Sequence, residues 1–259
     1  MHLVTIGEIF LKGKNRITFE RKLIRNIREG LELQPNELLK FRNKYLILND
    51  KNINKIKTVF GIVSCYNVIE IKKEELNDRI LSMISNEKTF RLSCKNIRVI
   101  RENSQLLNQE LGSLILSKKP DMKVDLEKPE INIIVEELNN KIFLSKHSDI
   151  IKCLGGLPVG SSGFVYLRVN NITKSTVAGF LMLKRGCKII LSKDLPLLHK
   201  FAHGFLLKVK EEYPDNFIVT DEAFKELNFN EEEDRFILRP LVGLSNGEIN
   251  NLYKEITNL

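Results

Sequence analysis

The stretch LGGLPVGSSGFVYLRVNNITKSTVAGFLMLKRG, Leu154 to Gly186, decides the fold. It opens as a turn-rich hinge, with Gly155, Gly156, Gly160 and Gly163 set around Pro158. Phe164 to Val169 is an apolar run of strand character, and Asn170 to Lys174 is a polar loop. A helix follows, closed by the basic pair Lys184-Arg185 and the stop Gly186. Strand, loop and helix together open an α/β unit of the nucleotide-binding kind, in which the helix N-terminus faces a phosphate. The loop here reads N-N-I-T-K and contains no glycine, the residue that lets backbone approach an anion closely. Ser175, next in line, is expected to serve as the capping region of the helix. Cys187 to Leu191 then supplies a second strand, so the three elements form a right-handed crossover.

Outside this stretch, 259 residues set an expectation of two domains, or three small ones. An apolar fraction of 42% with 29% charged residues is that of a water-soluble globular chain. No apolar run reaches the ~18 residues of a membrane helix, and Met1-His2-Leu3-Val4 does not open a signal peptide. The expected location is therefore the cytoplasm, with no membrane partner. Cys65, Cys94, Cys153 and Cys187 lie far apart without a CxxC, which argues against a zinc site or a disulfide framework. The net charge of +8 is unevenly spread. Residues 1–60 carry 13 basic and 6 acidic side chains, whereas residues 210–259 carry 5 and 12. A polyanion meets the front of such a chain first.

In that front, a strand (HLVTIGEIFL) leads into the cluster Lys12, Lys14, Asn15 and Arg16, then a helix over Thr18–Leu31. Phe19, Leu23, Ile27 and Leu31 give the helix a buried stripe, and Arg21, Arg25 and Arg28 a basic one. Strands at Phe41–Leu48 and Ile62–Ile71, a helix at Asn52–Phe60 and a short strand near Leu38 complete a βαββαβ, ferredoxin-like order. A cationic loop beside a cationic helix face suits phosphate contacts; the plainer alternative is a solvated helix surface.

The middle alternates a helix (Glu74–Ser85), a strand (Thr89–Lys95), a helix (Leu106–Ser117) and a strand (Ile131–Leu138) that turns at Asn139-Asn140 into another. Lys95, Arg98, Arg101 and Lys152 are its scattered basic groups, and His147 is read as a surface residue. Further on, LPLLHKFAHGFLLKVKEE reads as a helix bearing His199 and His203 four apart, without the glutamate or third ligand of a zinc site. No metal is expected. NFIVTD is a buried strand, Glu231–Asp234 a solvated acidic loop, and Ser245 with Glu248 a capping box for the last helix.

GEIFLKGKNRITFERKLIRNI, FGIVSCYNVIEI, KVDLEKPEINIIVEE, GGLPVGSSG, VAGFLMLKRG and FILRPLVGLSNGEI, in this order, resemble the tRNA 4-thiouridine synthetase (ThiI) family over nearly the whole chain. The resemblance implies a ferredoxin-like domain at 1–72, a THUMP domain at 73–163 and a reduced, Rossmann-like PP-loop ATP-pyrophosphatase domain with a parallel sheet at 164–259. It implies tRNA, gripped near its acceptor end, as the partner, with Lys12, Lys14, Asn15, Arg16, Arg21, Arg25, Arg28, Lys95, Arg98 and Lys152 as RNA-binding candidates.

In the family the third domain adenylates uridine 8 with ATP and Mg²⁺ through an SGGxDS loop, and a cysteine carries the sulfur. The six loop positions here are Asn170, Asn171, Ile172, Thr173, Lys174 and Ser175, so only the last serine is kept. The family's cysteine falls at about Leu198, and no rhodanese domain is expected to follow. The resemblance thus implies a tRNA-binding relative without catalytic residues or cofactors of its own; ATP and Mg²⁺ enter only if the loop keeps affinity for them. The alternatives are a tRNA-thiolating enzyme with an altered site or completed by a separate sulfur-transfer or ATP-using chain, and a regulatory partner of an active relative, homodimeric or mixed.

Overall fold

A computed structural model describes residues 1–49, 51–97, 100, 103–212, 217–227 and 236–259. Strand β1 (His2–Ile6) passes through a 3-10 segment at Glu8–Asn15 into helix α1 (Arg16–Leu31). Strands β2 (Leu38–Lys40), β3 (Lys44–Ile47) and β4 (Ile62–Asn67) follow, then β5 (Ile69–Ile71), α2 (Leu76–Met83), β6 (Thr89–Lys95) and α3 (Ser104–Lys118). Next come β7 (Lys123–Val124), β8 (Ile131–Leu138), β9 (Lys141–Lys146) and β10 (Ile150–Lys152). The last part holds β11 (Phe164–Leu167), α4 (Ile172–Lys184), β12 (Lys188–Leu191), α5 (Pro196–His199), β13 (Lys208–Val209), β14 (Phe217–Val219), β15 (Phe236–Leu238) and α6 (Asn246–Asn258).

These strands make three five-stranded sheets. The first has the order β10-β4-β1-β3-β2, so the expected ferredoxin-like succession is present, with β10 added beside β4. Its second helix is only a 3-10 segment, Ile53–Thr58, and not the helix expected over 52–60. The expected strand over 41–48 is trimmed to Lys44–Ile47. The one over 62–71 breaks at Val68, whose N–H donates to the Met1 carbonyl at 2.9 Å.

By packing, the chain divides into two compact units: Met1–Val4, Leu39–Asp50 and Cys65–Ile151 in one, Thr5–Leu38, Lys51–Ser64 and Lys152–Leu259 in the other. The first unit contains the mixed sheet β5-β9-β8-β6-β7. Ile80, Phe90, Ile115, Ile133 and Val135 are buried in its core. The β8–β9 turn is tight because Asn139 and Asn140 both adopt positive φ (49° and 64°), as a two-residue hairpin of this twist requires.

The second unit contains the all-parallel sheet β13-β12-β11-β14-β15. Its core gathers Leu167, Val177, Leu183, Ile189, Leu198 and Val219, and Phe60 joins them from far upstream. The glycine-rich hinge lies along the C-terminal end of α4. Leu157 N–H donates to the Lys184 carbonyl (2.8 Å), and Gly160 and Ser162 N–H both donate to the Gly186 carbonyl (3.0 and 2.9 Å). Two motifs far apart in the sequence thus form one hydrogen-bonded seam.

Three local expectations are corrected here. Helix α4 begins at Ile172, so Ile172, Thr173 and Lys174 are its first turn and not a loop. Its N-cap is Asn171, whose Oδ1 accepts the Lys174 N–H at 3.0 Å; Ser175 is buried one turn in and caps nothing. The long histidine-bearing helix is also absent. Residues after His199 run through tight turns, with Phe201, Ala202 and Phe205 N–H each bonding three residues back, and Gly204 sits at φ 74°. The capping box of α6 stands as expected: Ser245 Oγ accepts from Glu248 N–H at 3.3 Å, and Glu248 Oε2 from Ser245 N–H at 2.8 Å.

Candidate functional site

The basic candidates of the front lie on the Glu8–Asn15 segment and on α1. Helix α1 buries Leu23, Ile27 and Leu31 while Phe19 is half-buried, and this turns Arg21 and Arg25 to solvent. Lys14 and Asn15 are exposed as well. Several cations have local partners: Arg16 Nε donates to Glu20 at 2.8 Å and Arg25 Nε to Glu29 at 2.6 Å, each one turn away. Arg28 Nη2 donates to the Pro35 carbonyl at 2.9 Å, and Lys12 Nζ lies 5.3 Å from the Phe19 ring centroid. The Arg25–Glu29 pair costs the set little of its field, because an exposed ion pair is weak and exchanges readily for a phosphate, whereas Arg16 is held by the buried Glu20. Lys152 is exposed at the end of β10, and Lys95 is exposed at the end of β6 in the other unit. Arg98 and Arg101 lie outside the described residues, as does the acidic run 231–234.

The stretch from Asn170 to Ser175 is built differently from an open phosphate cradle. Asp221, 4% exposed, stands just past the C-terminal end of β14 and turns its carboxylate onto the start of α4. Its Oδ2 accepts the Asn171 N–H at 2.7 Å, the Asn170 N–H at 3.3 Å and the Ser175 hydroxyl at 2.5 Å. Its Oδ1 accepts the Asn170 side-chain amide at 3.2 Å. The Asn170 and Asn171 N–H groups, which could face an anion, therefore already hold one. Lys174 ion-pairs with Glu226, and that bond, chiefly, holds the Glu226 carboxyl below its ordinary value. Sequence reasoning missed both acids; NFIVTD shows Asp221 only as the polar end of a strand.

The thiols are equally enclosed. Leu198, at the position implied for a sulfur carrier, is fully buried, and a Cβ on Gly179 of α4 would meet its Cδ1 at 2.4 Å. Burial pushes Cys94 and Cys153 up to about 12 and raises Cys187 as well, against the thiolate that sulfur chemistry needs. His199 pairs with Asp194 at 2.7 Å and His203 with Thr58 at 2.8 Å, so the two imidazoles serve separate contacts. Among the described residues no group of three metal-ligating side chains assembles. Nor is any helix among them long and apolar enough to cross a membrane.

Comparison with known proteins agrees with this architecture. Residues 1–65 match the ThiI ferredoxin-like domain and residues 69–146 the THUMP domain. A probable tRNA sulfurtransferase of Mycoplasmopsis agalactiae is 36% identical over 191 residues, covering 72% of this chain and 50% of that protein. One from Pediococcus pentosaceus is 33% identical over 231 residues, covering 81% of this chain and 54% of that protein. The chain thus spans about half the length of the curated relatives it matches. A crystal structure of a 4-thiouridine synthetase–RNA complex with bound ATP superposes with a TM-score of 0.76 at 25% identity, over 98% of this chain and 84% of that one. A Pyrococcus horikoshii protein shares the fold, with a TM-score of 0.78 at 24% identity over 100% and 99% of the two chains. With both front modules matched and the parallel-sheet module superposed, the chain belongs to the tRNA 4-thiouridine synthetase (ThiI) family.

Proposed function

We propose that this chain is a tRNA-binding member of the family that grips tRNA near its acceptor end and performs neither adenylation nor sulfur transfer itself. In this reading residues 1–72 and 73–163 hold the RNA and residues 164–259 are a nucleotide module turned scaffold, acting in the cytoplasm. The RNA half is supported by the similarity to a synthetase crystallised with RNA and by the cationic front, in which Lys14 and Arg21 are solvent-facing. Lys12, Asn15, Arg16, Arg25, Arg28, Lys95, Arg98 and Lys152 are its further contacts.

The observation that carries the non-catalytic half is the Asp221 carboxylate on the Asn170 and Asn171 N–H groups. Donors already held by a carboxylate are not lent to a transition state, and losing even one such donor costs roughly 3–4 kcal/mol of barrier.

The test is binding of the full chain to bulk tRNA, intact and with the 3′ end trimmed, across a salt series. Tighter binding to intact tRNA that weakens steeply with salt is the expected result, since phosphate neutralisation releases counterions. No binding at low salt sinks the RNA reading. ATP-dependent adenylation or thiolation of tRNA by the purified chain sinks the non-catalytic one.

A further inference from the structure

The parallel sheet of the second unit has its strand order reversed at one place. From β11 the chain crosses through α4 to β12 and on to β13, all on one side. It then returns to lay β14 and β15 on the other side of β11. The boundary between β11 and β14 is therefore the topological switch point, and the crevice at the carboxyl ends of these two strands is where open α/β sheets receive ligands. The register fixes what lies there: Leu167 pairs with Val219, and Arg168 N–H donates to the Val219 carbonyl at 3.0 Å. Asn170-Asn171 on one strand end thus faces Asp221 on the other.

The polar groups of Asn170, Asn171 and Ser175 that this crevice would offer an anion are already engaged. The buried carboxylate of Asp221 takes two backbone N–H groups, one amide and one hydroxyl. Three of these four donors converge on Oδ2 and one on Oδ1, so the carboxylate is held by both of its oxygens. Lys174, the remaining cation of the first turn, is turned to Glu226. The helix N-terminus that attracts a phosphate attracts this carboxylate for the same electrostatic reason.

We propose that Asp221 is the resident anion of the switch-point crevice, a carboxylate of the chain itself standing where a phosphate group would bind and closing the site to it. The ligand class the vacated crevice accepts is a small phosphate, inorganic phosphate or pyrophosphate. This deepens the non-catalytic reading of the third module and is independent of how RNA is held.

The experiment compares the full-length wild type with Asp221→Ala, and with Asp194→Ala as a control that loses an exposed carboxylate. Thermal melting and calorimetric titration with inorganic pyrophosphate are run at constant ionic strength. The wild type and Asp194→Ala are expected to show no saturable pyrophosphate effect. Asp221→Ala is expected to melt lower and to recover at least half of that loss saturably as pyrophosphate fills the gap. If Asp221→Ala does not fold, Asp221→Asn, of equal shape and no charge, is expected to bind pyrophosphate at least tenfold more tightly than the wild type.

A variant as indifferent to pyrophosphate as the wild type overturns the proposal and leaves Asp221 a loop staple. A wild type that binds pyrophosphate as tightly as the variant overturns it too. Binding of tRNA is read on the same samples: its absence from the wild type removes the RNA reading and leaves this inference standing. Unchanged tRNA affinity with no anion rescue does the reverse.

Discussion

At the residue scale, the first unit holds an ion pair that no local pattern announces. Lys44 Nζ lies 2.6 Å from Glu136 Oε2, with side-chain exposures of 14% and 2%. Tyr66 donates its hydroxyl to the same oxygen at 2.8 Å, and Asn96 its amide to Oε1 at 2.9 Å. Burial pulls the Lys44 ammonium below its ordinary value, and Glu136 opposes that pull. Removing one member leaves the other charge buried and alone, so Glu136→Leu is expected to destabilise by about 3–5 kcal/mol in urea unfolding. The double variant Lys44→Met with Glu136→Leu should recover most of this loss, because two apolar side chains need no counter-charge. Asp221 teaches the same lesson. Its role depends on residues 46 to 51 positions away, and sequence shows only an acid after an apolar run.

At the element scale, what was legible is what nearby residues decide. The capping box of Ser245 and Glu248, the paired asparagines of the β8–β9 turn and the apolar stripe of α1 are all local devices, and all are present. The start of α4 was displaced because Asn171 and Ser175 are both competent caps, and only the carboxylate of Asp221 draws the serine inward. The reading of a helix through His203 failed because periodicity does not register the turn at Gly204, where a Cβ would meet Asn26 Oδ1 at 2.0 Å. His203 instead packs on Gly30 and reaches Thr58, whose hydroxyl donates to the Lys55 carbonyl at 2.8 Å and so accepts the imidazole N–H. Burial holds its pKa below the ordinary 6.5, Lys55 lowers it further, and Glu29 opposes both. A group depressed in this way stabilises fully above the unfolded value, and the contribution is lost as pH falls from 6.5 through the folded one. Stability should therefore fall as pH drops below 6.5, and His203→Gln should flatten that step in pH-dependent melting curves.

At the scale of the whole molecule, the charge asymmetry between the first 60 and last 50 residues is the feature that sequence gave most directly. Its expected consequence is electrostatic and nonspecific: replacing Lys14 and Arg21 with glutamine should weaken binding about equally for every tRNA. The slope of log affinity against log salt should shrink by about 1 for each charge removed, as filter binding would show. The partition of the chain was harder to see, because burial and not sequence neighbourhood decides it. Residues 51–64 lie in the front by sequence, yet they pack with the second unit.

Phe60 makes that partition concrete. Its ring stands 5.2 Å from Phe180 and 5.9 Å from Phe201, centroid to centroid, in a core otherwise supplied by residues beyond 150. A ribosome delivers Phe60 long before either partner, and a chain emerges at roughly 5–20 residues per second. For several seconds, then, the nascent front carries an unclaimed aromatic side chain at its surface. Its socket is completed only once residues 159 to 256 have been made, so this aromatic side chain is buried long after it is synthesised.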